Sequence, residues 1–355
     1  MAKRVIHVGV GSFGLRWCGE FLAANIADKT IEVVAVADID AKALKRGAEI
    51  LRMPDARCYT DIAKAFDENE ADFCTIVVPP NHHEAVVDIA LAHGVDILCE
   101  KPIADTMAAS VRIAGKVKAA GRKMAVTMSH RFDQDKTTLR TIVRSGRIGK
   151  VNTVSCRYFS DMRKHMAWGA LFRHTMDDPL IIEGAVHHLD IVADLAGARC
   201  KTLFASTWRP AWAEYAGDTD GMVMMIFENG VRGIYEGSSA SAIGLNDWYF
   251  EYIRVDGEEG TAILNSREIE VFTRSGLKRQ KSREGQGQKV QPLTQPKWLN
   301  TWLIERFCQW LDGGEPMETN VEANVQASAL IFASIESQRT GNPIDVQGFI
   351  RQHAA

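Results

Sequence analysis

Over the first third of the chain, short apolar runs alternate with amphipathic stretches. Val5-Ile6-His7-Val8 and Glu32-Val33-Val34-Ala35-Val36-Ala37 read as buried β-branched strands, with further strands expected at 72–77, 95–98 and 124–127. The apolar spacing between them predicts helices at about 13–27, 41–51, 82–93 and 106–120. Such alternation is the pattern of a doubly wound parallel sheet, so an α/β domain is expected over residues 1–127. From residue 128 the pattern changes. A helix near 133–145 is followed by alternating segments at 151–161, 200–208, 219–227, 230–237, 249–255, 261–264 and 268–272, and helices near 298–312 and 321–340 close the chain. This reads as an α+β domain over 128–355 with a large, mainly antiparallel open sheet. One helical segment, 181–195, interrupts the strands, with Val186, Leu189, Ile191 or Val192, and Leu195 as its apolar stripe. Glu183, His187 and Asp190 are spaced i, i+4 and i, i+3 and so share a face, whereas His188 is rotated away and is expected to serve another purpose.

Composition narrows the function classes. With 355 residues, 46% apolar and 25% charged, the chain is long enough for two domains with full cores and has the make-up of a soluble protein, with no membrane partner indicated. A net charge of −3 offers no bulk attraction to nucleic acid, and the first half has no basic motif interleaved with aromatics. The seven cysteines are scattered without a CxxC pair, so they read as reduced core thiols of a cytoplasmic protein. Lys3 and Arg4 lead straight into the first strand, and no signal peptide is expected.

The chemistry concentrates at the carboxyl ends of the first-domain strands, where open α/β sheets bind ligands. Gly9-Val10-Gly11-Ser12-Phe13-Gly14 follows the first strand and opens a helix, which suits the tight turn and close backbone approach of a pyrophosphate site. Asp38 closes the second strand, where a carboxylate accepts both ribose hydroxyls; a 2′-phosphate would meet it as like charge, so NAD is expected over NADP. Three more loops lie at strand ends: Val78-Pro79-Pro80-Asn81-His82-His83, Cys99-Glu100-Lys101-Pro102 and Ser129-His130-Arg131-Phe132. His82 and His83 are metal-ligand material, but neighbours at a helix start point apart and no acid or cysteine completes a site; they read as cofactor-side or capping residues, and no metal is expected. Tyr158, Arg163, Lys164, His165, Trp168 and Arg173 precede the His187 helix. They read either as an exposed strand end and loop or as a substrate wall, with Trp168 stacking on a sugar and the cations binding hydroxyls or an anion. The basic stretch 274–297 reads as a solvated hairpin or as a loop over an anionic substrate.

Gly9-x-Gly-x-x-Gly, Asp38, Pro79-Pro80-Asn81-His82, Glu100-Lys101-Pro102 and Glu183-x-x-x-His187-x-x-Asp190 resemble, in order and interval, the Gfo/Idh/MocA oxidoreductases, and the resemblance covers nearly the whole chain. It implies a dinucleotide domain followed by a larger α/β domain with an open sheet. It also implies Lys101 as catalytic lysine, His187 as histidine acid/base, and Glu183 where most members have aspartate. The cofactor side would be formed by Gly9, Gly11, Ser12, Phe13, Gly14, Asp38, Pro79, Asn81, His82, Glu100, Lys101 and Arg131. The substrate side would be Lys101, Tyr158, Arg163, His165, Trp168, Arg173, Glu183, His187 and Asp190. A histidine with an ordinary pKa of about 6.5 suits removal of a hydroxyl proton, and a lysine cation stabilises developing alkoxide. The expected activity is NAD-dependent hydride transfer from a secondary hydroxyl of a sugar, cyclitol or sugar derivative, in a homodimer or homotetramer assembled through the open sheet. Two alternatives remain. One is NAD-dependent glycoside cleavage by oxidation and elimination with the cofactor recycled; the other is a non-enzymatic nucleotide sensor, against which the presence of both Lys101 and His187 argues.

Overall fold

The structure, a computed structural model, describes residues 1–169, 171–276 and 282–354, so part of the basic 274–297 stretch lies outside the described residues. The chain divides into two compact units. The first comprises Met1–Ser129 and Lys297–Ser328. Its strands are β1 (Lys3–Val8), β2 (Ile31–Ala37), β3 (Cys58–Tyr59), β4 (Phe73–Ile76), β5 (Asp96–Cys99) and β6 (Met124–Val126), all parallel, in the order β3-β2-β1-β4-β5-β6. Val5, Ile6, Val8, Val36, Phe73, Ile76, Ile97 and Leu98 are all fully buried, which explains why these strands read as continuous apolar runs. Helix starts carry the caps the sequence offers: the side chains of Asp40, Asp61 and Thr106 accept from the backbone N–H of Lys42, Lys64 and Ala109. The strand order reverses between β1 and β4, so their carboxyl ends frame the crevice where this topology binds ligands.

Residues Lys297–Ser328, expected with the second domain, pack with the first. In the helix Leu299–Leu311, Leu303, Ile304 and Phe307 are fully buried, and the Phe307 ring meets that of Phe73 edge-on at 5.2 Å. Asn25 Nδ2 donates to the Thr301 carbonyl at 3.1 Å. An apolar stripe identifies a helix that must be covered but not the sheet that covers it.

The second unit comprises His130–Pro296 and Ala329–His353. Its strands are β7 (Val151–Phe159), β8 (Cys200–Trp208), β9 (Asp220–Phe227), β10 (Arg232–Ser238), β11 (Tyr252–Gly257), β12 (Gly260–Asn265), β13 (Glu268–Thr273), β14 (Gln288–Val290) and β15 (Ile344–Asp345). They form one sheet in the order β14-β13-β12-β11-β7-β10-β9-β8-β15, antiparallel except where β7 meets β10. The helix Val186–Ala196 packs on β7 and β10, and the helix Gln134–Arg144 on β12 and β13. The expected single helix over 181–195 is two pieces: a π-helical turn, Leu180–Ala185, leads into the α-helix Val186–Ala196, which ends on Gly197 at φ 69°. Among the described residues no helix is long and apolar enough to cross a membrane.

Candidate active site

In the first unit the three glycines have three different jobs. A Cβ on Gly9 would stand 2.4 Å from the Val77 carbonyl oxygen, and Gly9 has φ +95°, so only glycine makes this turn. A Cβ on Gly14 would stand 2.2 Å from the Gly9 carbonyl, so the third glycine lets the helix pack against the turn. A Cβ on Gly11 would meet nothing within 4 Å, leaving the face that a pyrophosphate needs to approach. Asp38 is held from both sides: Oδ2 accepts from Val10 N at 2.7 Å and Oδ1 from Asp40 N at 2.8 Å. Its carboxylate is thereby aimed before any ribose arrives. Ser12 and Phe13 sit in the first turn of the following helix, and Pro79, Asn81 and His82 are exposed around the short turn Pro80–His82. These residues fit NAD: a turn with an open glycine for the diphosphate and a fixed acid for the ribose.

Glu100 and His83 are both buried. Glu100 is 7% exposed, accepts from Trp17 Nε1 at 2.9 Å and from the Lys101 backbone N–H at 3.2 Å, and burial pushes its carboxyl pKa up. It anchors the Lys101 turn from beneath. His83 is fully buried, with Nε2 2.9 Å from the Val78 carbonyl and Nδ1 3.1 Å from the Pro102 carbonyl. It ties the loop after β4 to the loop after β5; its spacing in sequence gave no hint of this.

In the second unit the His187 helix is held by charge. Glu183 accepts from Arg173 Nε at 2.9 Å, and Asp190 pairs with Arg131 Nε at 3.4 Å. Arg131, expected at the cofactor, is 8% exposed and also pairs with Asp194 at 3.2 Å. Burial pushes the Asp194 carboxyl up, but Arg140, Arg131 and Arg144 outweigh it and hold the group below the usual carboxylate range. His187, 6% exposed, thus stands between two carboxylates that arginines fix in place.

The cations of the expected substrate wall are paired as well. Arg163 donates to Asp161 at 2.7 Å and Lys164 to Glu214 at 2.7 Å, while the backbone N–H of His165, not its ring, donates to Glu214 at 2.8 Å. Arg173 lies 5.7 Å from the centre of the Trp168 ring in addition to its bond to Glu183. This side of the unit therefore carries little net positive charge. Tyr158, expected on the wall, is fully buried and stacks on His188 at 4.9 Å, so it supports the site from the core.

Behind His187 lies a buried cluster that the sequence did not disclose. His130 Nε2 is 2.7 Å and His188 Nε2 3.4 Å from Glu251 Oε1, while the Lys136 ammonium is 2.8 Å from Glu251 Oε2. Burial pushes the Glu251 carboxyl up, but His130 and Lys136 override it and hold it well below the usual range, so it is ionised. Burial pushes the His188 imidazole down, keeping it neutral. His130, His188 and Glu251 are the one group among the described residues spaced to ligate a metal. The Lys136 cation already occupies the other carboxylate oxygen, and a divalent ion would have to share the dry site with it, so hydrogen bonding accounts for the cluster better than a metal.

Residues 3–128 match the family model described as oxidoreductase family, NAD-binding Rossmann fold, and residues 140–346 match that of the same family's C-terminal alpha/beta domain. An uncharacterized protein, y4oX of Sinorhizobium fredii, is 59% identical over 99% of this chain and 98% of its own. The D-apiose dehydrogenase of Paraburkholderia graminis is 26% identical over 89% of this chain and 83% of its own. The crystal structure of an oxidoreductase from Agrobacterium radiobacter in complex with NAD+, L-tartaric acid and magnesium superposes with a TM-score of 0.82 at 24% identity, covering 98% of this chain and 100% of that one. With a glycine turn and a fixed acid that suit NAD in the first unit, and both family models matched in sequence, the chain belongs to the Gfo/Idh/MocA family of NAD-binding oxidoreductases.

Proposed function

We propose that the protein oxidises a secondary hydroxyl of a neutral sugar or cyclitol with NAD. The observation that carries this reading is the His187 helix, whose flanking carboxylates Glu183 and Asp190 are each held by an arginine; an imidazole there is the side chain suited to move a proton near neutrality. His187 takes the hydroxyl proton, and Lys101, in the role the family resemblance implies, stabilises the alkoxide as it forms. NAD, when bound, accepts the hydride. Pairing of Arg163, Lys164 and Arg173 with Asp161, Glu214 and Glu183 favours an uncharged substrate over an anionic one. The similarity to D-apiose dehydrogenase points the same way. Incubation of the protein with NAD and a panel of neutral and anionic sugars, cyclitols and hydroxy acids should produce NADH with a neutral polyol; absence of NADH across the panel would sink the reading.

The fixed Asp38 makes a second expectation. Asp38→Asn keeps the shape but loses the charge that binds ribose and repels a 2′-phosphate. With a charged hydrogen bond worth about 1.5–3 kcal/mol, the NAD dissociation constant should rise roughly tenfold or more, and the preference over NADP should shrink. Calorimetric titration with both nucleotides reads this, and an unchanged NAD to NADP ratio would remove Asp38 from the ribose site.

A homo-oligomer is proposed through the open sheet face. There, cross-strand register lines up Phe204, Met224 and Ile234, which are 37%, 54% and 41% exposed. A contiguous apolar row on a sheet face is what a second copy of the chain covers. Met224→Lys should shift the protein toward monomer in light scattering; an unaltered mass would exclude this face.

A further inference from the structure

The turn before β11 places an aromatic ring against three of the histidines of the second unit. Trp248 is half-buried, and its ring centre lies 4.7 Å from that of His130, 5.5 Å from His187 and 5.6 Å from His188. The His187 contact is edge-to-face, with an angle of 76° between the rings.

What holds Trp248 there is an unusual backbone. Tyr249 has φ +71°, a left-handed conformation that bulky side chains avoid. Both sides of this residue are tied down. Its N–H donates to Glu251 Oε1 at 3.0 Å, its carbonyl accepts from Lys136 Nζ at 3.4 Å, and the same ammonium stands 5.9 Å from its ring centre. Glu251 and Lys136, with side chains 0% and 1% exposed, are themselves paired at 2.8 Å, so the two groups that hold the turn cannot relax into water. Strain over-determined by buried partners is typical of places where a side chain must be held in a working position. The aromatic that the turn brings edge-on to His187 is Trp248. Trp168, the tryptophan that the sequence suggested for stacking, already has the Arg173 guanidinium beside its ring.

We propose that Trp248 is the specificity-determining platform on which the C–H face of a polyol ring stacks beside His187, and that Lys136 and Glu251 position it through Tyr249. The inference deepens the proposed dehydrogenase function and rests on it. C–H groups of a sugar ring carry partial positive charge, and an indole face is rich in π electrons, so stacking selects cyclic polyols by shape and orients one carbinol toward the imidazole. Loss of the ring weakens binding of the substrate without touching the proton transfer itself.

The test uses the full-length protein with NAD and the panel of neutral polyols, myo-inositol included. Trp248→Ala should raise KM for the polyol by about tenfold, on the scale of one lost aromatic contact, while kcat and NAD affinity stay within about threefold. Trp248→Phe should recover most of the loss. In parallel, nitrogen-15 labelling of the indole groups, with the Trp248 resonance assigned by its disappearance in Trp248→Phe, reports contact directly. Polyol added to the NAD-bound protein should move that resonance. Turnover by the wild type with neither a KM change in Trp248→Ala nor a shifted Trp248 signal overturns the platform and leaves the dehydrogenase reading intact. A shifted signal without NADH formation supports the platform and overturns the dehydrogenase reading. Neither shift nor turnover overturns both.

Discussion

Replacing His187 with alanine should lower kcat by about 10²–10⁴-fold, the range of a lost general acid or base, with NAD affinity unchanged. The reason lies in the arrangement around it. Arg173 holds Glu183 and Arg131 holds Asp190, so neither carboxylate is placed to take over as base without first breaking an ion pair. Lys101→Ala should cost a comparable factor, about 10²–10³, because a charge aimed at the developing alkoxide acts mainly in the transition state. Single-turnover measurements with the substrate found by the panel separate these effects from binding, and circular dichroism checks that both variants fold. An alanine variant at His187 that keeps more than about a tenth of the wild-type kcat would remove it from proton transfer.

The second large effect is on stability. Glu251→Gln removes one partner of a sealed pair and leaves the Lys136 ammonium without its nearest carboxylate; breaking such a pair costs about 3–5 kcal/mol. For a unit of this size the melting temperature should fall by roughly 10 °C. The pH dependence has a definite sign. The Glu251 carboxyl is held well below its ordinary value of 4.5 in the folded chain, so its contribution is fully present above about that value and is lost as pH falls toward the folded pKa. The gap between wild type and Glu251→Gln should therefore be wide at neutral pH and should narrow in acid. A gap that is constant from pH 7 down through the ordinary carboxyl value of 4.5 and beyond would show that Glu251 stabilises by shape and not by charge.

Much of the architecture is legible in the sequence because it is local. The strands β1, β2, β8 and β9 lie within a residue or two of their expected spans, since a buried strand must be apolar throughout and a half-open one must alternate. The glycine turn and Asp38 are legible for the same reason: Val10 and Asp38 stand only 28 positions apart, at the ends of successive strands. What stayed hidden depends on distant partners. His130 and Glu251 are 121 positions apart, and nothing near either one announces the other. Nothing around Trp248 in the sequence marks it out; the φ of Tyr249 does. The helical period over 181–195 was correct, yet period alone does not distinguish an α-helix from one that opens with a π turn, as at Leu180–Ala185. β3 and β15, of two residues each, are too short to carry a pattern, and β14, Gln288–Val290, is polar where the equally short β6 is an apolar run.

The return of Lys297–Ser328 to the first unit has a consequence for how the chain is made. A ribosome releases the polypeptide from its N-terminus, and a domain closes only when its last contributing segment has emerged. Phe73 waits for Phe307, and Asn25 waits for Thr301, so the nucleotide-binding half cannot complete its core until synthesis has passed residue 307. During that interval a largely apolar parallel sheet lacks one of its covering helices. The first unit is therefore exposed to aggregation while the second is being made, even though most of it leaves the ribosome before the second does.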